Sequence, residues 1–135
     1  MKKIDIFKKL RSSGLRPTKQ RVEIAKFLFE RDKTFHFTVE SLENHLAKKL
    51  TCKIALATIY NTVHAFQKAG HLSEVDVRGK KTYFDTNITN HHHFYDNETS
   101  ELIDIEASEI VIQKIPKAPN GKKIKNVEVF INLKN

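Results

Sequence analysis

The stretch Lys53–Gly70 reads K-I-A-L-A-T-I-Y-N-T-V-H-A-F-Q-K-A-G, and the rest of the chain is organised around it. Leu56, Ile59, Val63 and Phe66 recur at the helical period, with Tyr60 on the flank of the same stripe. One face of a helix is therefore expected to be buried. The opposite face carries Ala57, Thr58, Asn61, Ala65 and Lys68, small or polar apart from the one lysine. A helix that is apolar on one side and slim on the other fits a narrow space such as a DNA major groove, about 12 Å wide. There Thr58 and Asn61 offer donors and acceptors to base edges, and the Tyr60 ring offers a surface to a thymine methyl. By itself the pattern favours an ordinary packed helix that stops at Gly70. The flanking chain has to decide.

Upstream, Ile4–Arg11 reads as a short amphipathic helix closed by Ser12-Ser13-Gly14. Leu15-Arg16-Pro17 is extended, because the residue before proline avoids the helical region. Thr18 is placed to cap a second helix through about Glu30, with Val22, Ala25, Leu28 and Phe29 facing inward. Phe35-His36-Phe37 follows, and Thr38 caps a third helix over Val39–Leu50, with Leu42, Leu46 and Leu50 a turn apart. The central helix itself has no convincing N-cap. Downstream, Leu72–Val77 and Lys81–Asp85 flank Arg78-Gly79-Lys80 and predict a β-hairpin with a basic tip. Helices followed by a basic hairpin make a winged helix-turn-helix, in which Arg78, Lys80 and Lys81 reach phosphates or the minor groove.

Charge divides in the same place. Residues 1–86 hold 18 Lys+Arg against 9 Asp+Glu, and residues 87–135 hold 6 against 7. Only the first part is suited to a polyanion, although a lysine-rich solvated surface would give the same count. The first ten residues are basic but have neither an apolar core nor a small-residue cleavage site, so no signal peptide is expected. No apolar run is long enough to span a membrane. One cysteine, Cys52, excludes a disulfide framework and fits a reducing cytoplasm.

Thr86–Asn90 is short and polar, a candidate hinge between a domain over 1–86 and another over 87–135. The second part reads as Phe94-Tyr95, a turn at Asp96–Ser100, a strand at Leu102–Ile105 and a short helix or turn at Ala107–Ile115. In the closing strand Val127, Val129, Ile131 and Leu133 share one face. Fewer than 50 residues bury little core alone, so completion by a second copy is expected. A twofold dimer also presents two reading helices to a palindromic site on double-stranded DNA.

The chemistry is concentrated at Asn90-His91-His92-His93-Phe94. On a strand, His91 and His93 share a face and His92 points away. Two imidazoles on one face suit a divalent metal or a haem iron. His36, Asp85, Glu101 and Asp104 are the candidates for further ligands.

R-P-T-K-Q-R at 16–21, L-A-T-I-Y-N-T at 56–62, K-T-Y-F-D-T at 81–86 and H-H-H-F at 91–94 resemble the ferric uptake regulator family. More narrowly, Asn61, K-T-Y-F-D-T and H-H-H-F resemble its iron response regulator branch from alphaproteobacteria. The resemblance runs nearly end to end, including P-K-A-P-N-G at 116–121. It implies an α+β protein, a winged helix-turn-helix plus a small C-terminal dimerisation and sensory domain. It also implies a dimeric regulator of iron and haem genes that binds its operator when haem or iron is low. Arg16, Thr58, Tyr60, Asn61, Arg78 and Lys80 would then contact DNA. His36, Asp85, His91, His93 and Asp104 fall at or near the family's sensory metal site, and His91, His92 and His93 are the expected haem ligands. The family's C-x-x-C structural zinc pairs are absent, and Cys52 precedes Lys53, so the Cys-Pro haem motif found in some of the branch is absent as well. A regulator sensing manganese, zinc or ferrous ion without haem is the alternative. A metalloenzyme using Glu101 or Asp104 as base lacks an H-E-x-x-H or comparable pattern. A non-specific nucleic-acid chaperone would bind operator and random DNA equally.

Overall fold

Two threonines start two of the helices, as their positions in the sequence predict. In the computed structural model, which describes residues 3–77 and 79–135, the Thr18 hydroxyl accepts the Arg21 N–H and begins α2, Lys19–Phe29. Thr38 and Ser41 exchange side-chain and backbone hydrogen bonds in a capping box that begins α3, Val39–Lys49. The first helix, α1, is capped by Asp5 and spans Ile6–Ser12, two residues later than expected at its start. The central helix, α4, spans Leu56–Lys68, and Ala55 at its N-cap supplies no side-chain bond.

These helices meet over a common core of Leu10, Ile24, Leu28, Phe37, Leu42, Ile59, Val63, Phe66 and Phe84. The buried side of α4 is Ile59, Thr62, Val63 and Phe66. Leu56 is a correction: at 43 % exposure it stands outside the core, and Thr62 is buried in the stripe instead. Periodicity placed Leu56 on the stripe, but it opens the first turn of α4, before the helix enters the core.

The predicted hairpin is β2, Ser73–Asp76, with β3, Thr82–Asp85. A strand that the pattern did not reveal, β1 (His36–Phe37), pairs with the other edge of β3. The sheet order is β1-β3-β2, so the wing grows from a three-stranded sheet. This first unit runs to Ile88. Residues 86 and 87 are tied into it: Phe35 and Thr86 exchange two hydrogen bonds, and Ser73 donates to the Asn87 carbonyl.

The second unit, Thr89–Asn135, is a separate sheet of order β5-β4-β6. Its centre is β4, His91–Asp96, antiparallel to β5, Glu101–Glu106, and parallel to β6, Phe130–Leu133. The segment expected as a helix or turn over Ala107–Ile115 is a single 3-10 turn, Ala107–Glu109. The closing strand begins at Phe130, three residues later than its alternation implies, and Ile131 is exposed while Leu133 is half-buried. Among the described residues of this unit, Tyr95, Leu102 and Ile105 are its buried apolar side chains. That is a small core.

Candidate metal ligands and nucleic-acid face

Strand parity sorts the histidine run. His91 and His93 leave β4 on the side of Asp104, which lies opposite His93 on β5. Their Nε2 atoms stand 3.2 and 3.3 Å from the same Asp104 Oδ1. The two rings meet edge to face at 4.5 Å, and His93 stacks on Phe130. Both histidines are buried, and Asp104 is about a quarter exposed.

His91 Nδ1 lies 2.6 Å from the Thr89 carbonyl oxygen. A carbonyl only accepts, so Nδ1 carries the proton, and in the neutral ring Nε2 is a lone pair. That lone pair faces a carboxylate oxygen. Two acceptors at 3.2 Å repel each other unless a proton or a cation lies between them. An imidazole whose Nδ1–H is fixed by a backbone carbonyl is also the form that presents Nε2 to a metal. Two imidazoles and a carboxylate converging in a mostly buried place fit a divalent cation such as zinc, iron or manganese.

His92 lies on the other side. Its Nδ1 accepts the Val129 N–H at 3.0 Å, so its proton sits on Nε2 when the ring is neutral. This side chain joins β4 to the approach of the last strand.

In the first unit, β1 places His36 directly across from Asp85 of β3. His36 Nε2 is 3.1 Å from Asp85 Oδ2, and Asp85 is fully buried. The Asn87 N–H donates to the other carboxylate oxygen at 2.8 Å. Of the four residues expected to add ligands, His36 and Asp85 thus pair in the first unit and Asp104 joins the histidines in the second. Glu101 does not: it begins β5 opposite Asp96, at the far end of the strand pair from His91, and is exposed. The Thr89 carbonyl, which sets the His91 tautomer, is a backbone group with no sequence signature.

The residues expected at DNA are all in the first unit. Tyr60 and Asn61 are exposed on α4, and Thr58 is half-buried. Arg16 is exposed ahead of α2, where its carbonyl accepts from the Arg21 guanidinium. Lys80 is exposed at the hairpin tip, its N–H bonded to the Val77 carbonyl. Arg78 lies outside the described residues. His64, in the quoted stretch but given no role there, stands one helical turn beyond Tyr60 with its ring 4.3 Å away. The spacing of four was the available signal.

Comparison with known proteins agrees with the fold. The ferric uptake regulator family model matches residues 12–133. The ferric uptake regulation protein of Rhizobium leguminosarum bv. viciae is 35 % identical over 98 residues, which cover 72 % of this chain and 67 % of that protein. The peroxide-responsive repressor PerR of Staphylococcus epidermidis is 30 % identical over 95 residues, covering 70 % of this chain but only 61 % of the repressor. The ferric uptake regulator of Pseudomonas aeruginosa, solved with manganese, superposes with a TM-score of 0.72 over 98 % of both chains at 21 % identity. With its two units, its winged helix and this match over most of its length, the chain belongs to the ferric uptake regulator family, whose members are transcription regulators and not enzymes.

Proposed function

We propose that this chain is a metal-responsive transcription regulator that binds operator DNA as a homodimer in the cytoplasm. The first unit would hold the DNA, with α4 in the major groove presenting Thr58, Tyr60 and Asn61. Arg16, Arg78 and Lys80 would contact the backbone or minor groove. A divalent ion, of iron, manganese or zinc, would take His91, His93 and Asp104 as ligands, with His36 and Asp85 completing the donor set. When bound, such an ion supplies positive charge between the two acceptors, as a proton on Nε2 otherwise would. The observation that carries this reading is the His91 Nε2 lone pair facing Asp104 Oδ1, with Nδ1 already committed to Thr89. The two relatives named for iron uptake regulation and peroxide response, and the manganese in one solved structure, support a metal as the signal.

Haem is the second reading, favoured by the H-H-H-F run and its resemblance to the iron response regulator branch. His91 and His93 would serve haem as well as they serve a metal. His92 is less available, because coordination through Nε2 requires its proton to leave or the Val129 bond to break.

The experiment is paired titration of manganese, zinc, ferrous ion and haem into the protein, followed by calorimetry and absorbance. Anisotropy on an operator selected from random DNA is read in parallel. Metal binding that shifts operator affinity and vanishes in His91→Ala/His93→Ala supports the metal reading. A Soret band with operator release, and no metal effect, supports haem. Equal affinity for operator and random DNA in every state would sink both.

A further inference from the structure

Tyr60 is 53 % exposed, an unusual position for a large ring on a helix whose other side is core. An exposed tyrosine samples several rotamers, so any specific contact with a base must first select one. Here the selection is built in. The Tyr60 ring rests against His64 at 4.3 Å and 47°. His64 in turn meets Phe84 edge to face at 5.7 Å and 82°. Phe84, only 2 % exposed, stacks on the equally buried Phe37 at 5.8 Å. Four rings thus run from the three-stranded sheet, Phe37 on its edge strand β1 and Phe84 on its central strand β3, to the surface of α4. Beside the last two lies a groove of about 410 Å³ between α3, α4 and the hairpin, lined in part by Val39, Leu56 and Thr82. Without the imidazole, the tyrosine ring has room to fold into that groove.

We propose that His64 is a positioning residue for base recognition. It transmits the fixed placement of Phe84 to the Tyr60 ring, so that the ring meets a thymine methyl in the major groove without a search. This inference rests on the reading of α4 as the DNA-contacting helix. Its chemistry is apolar: a methyl group on one base edge, recognised by an aromatic face that is already held still. His64 need not touch DNA. Its half-buried ring is braced from below by Phe84, whose place in β3 is fixed by pairing on both sides.

The test uses the full chain and an operator selected from random DNA. Each thymine is replaced in turn by deoxyuridine, which removes only the methyl. The wild type should lose about fourfold in affinity at one thymine in each half-site, the worth of one buried methyl group. His64→Ala should reduce that ratio towards one, as should Tyr60→Ala, and the double variant should do no worse than either single variant. His64→Phe, which restores a ring between Phe84 and Tyr60, should bring the ratio back. His64→Leu fills the space without an aromatic face and should behave like alanine; it replaces the alanine variant should that one fail to fold. A full deoxyuridine penalty in every folded variant of the pair His64→Ala and His64→Leu would overturn the inference while leaving α4 as the reading helix. So would an operator-specific wild type that is indifferent to every methyl. A wild type with no operator preference would overturn the reading of α4 itself, and the inference with it.

Discussion

His71 shows how one side chain writes a pH dependence into the fold. Its Nε2 lies 2.8 Å from the Ser13 hydroxyl, and its ring packs against Phe29 and Phe66. Partial burial, with the nearby Lys9 charge second, lowers its pKa below the ordinary histidine value. The folded chain therefore prefers the neutral ring, and the unfolded chain takes up the proton more readily. Its contribution to stability is complete above the unfolded value, about pH 6.5, and is lost as the pH falls through the lower folded value. His71→Gln should abolish this component. Urea unfolding of wild type and variant at pH 7.5 and 5.5 checks it: the wild type should lose more stability on acidification, and equal losses would exclude His71. His92 gives a second residue-scale expectation. Because its ring is engaged with Val129 on the face away from Asp104, His92→Ala should leave metal affinity unchanged while loosening the last strand. Metal titration and amide exchange at Val129 separate the two effects.

At the scale of elements, β3 is the piece that touches both proposed sites. Phe84 meets the His64 ring of α4 edge to face, and its neighbour Asp85 holds His36. Adjacent residues on a strand face opposite ways, so four residues serve two surfaces. Asp85→Asn should therefore weaken the metal's effect on operator affinity while leaving metal-free DNA binding nearly intact, as parallel anisotropy titrations would show. The start of α4 offers a stability counterpart. Ala55 supplies no cap, and its backbone is already extended (φ −63°, ψ 143°). Ala55→Ser should stabilise the first unit by about 0.5–2 kcal/mol, measurable as a raised denaturation midpoint. Much of this level was legible in the sequence, because caps, hairpin and helical stripes are local. Thr18, Thr38 and the Gly79-Lys80 turn announced their elements within a few residues. β1 was not legible: two residues carry no period, and their strand character comes from β3, nearly fifty positions later. The same non-local pairing sets His36 against Asp85, so the sequence named both residues while only the fold supplied their contact. The late start of β6 has a related cause. Alternation from Val127 is a property of the chain, but the parallel ladder exists only where β4 lies alongside, from His93 to Asp96.

For the molecule as a whole, the two units differ in what they can sustain alone. The core cluster from Ile6 to Phe84 lies entirely in the first unit, which also carries the excess of basic charge. A chain ending at Ile88 should therefore fold, sediment as a monomer and bind operator far more weakly than the full chain, having lost one half-site. The second unit buries three apolar side chains among its described residues and leaves others in the open. Ile103, Phe94 and Ile131 lie in register across β5, β4 and β6, and the two isoleucines are 47 % and 40 % exposed. An apolar row across the width of a sheet is the start of a self-complementary interface, although a stable one needs on the order of 800 Å² from each partner. Val111, Ile112 and Ile115 are likewise exposed in the segment that follows β5. Strand parity separates this row from the proposed metal ligands, since His91, His93 and Asp104 leave the sheet on its other face. The row can therefore be tested without touching the ligands. Ile103→Glu together with Ile131→Glu should place like charges across any twofold interface built on this face and shift sedimentation from dimer to monomer. Metal affinity should survive, and operator affinity should fall to that of the chain ending at Ile88. If the double variant still sediments as a dimer, the partner docks elsewhere on the second unit. If it loses the metal as well, the two faces of the sheet are not independent.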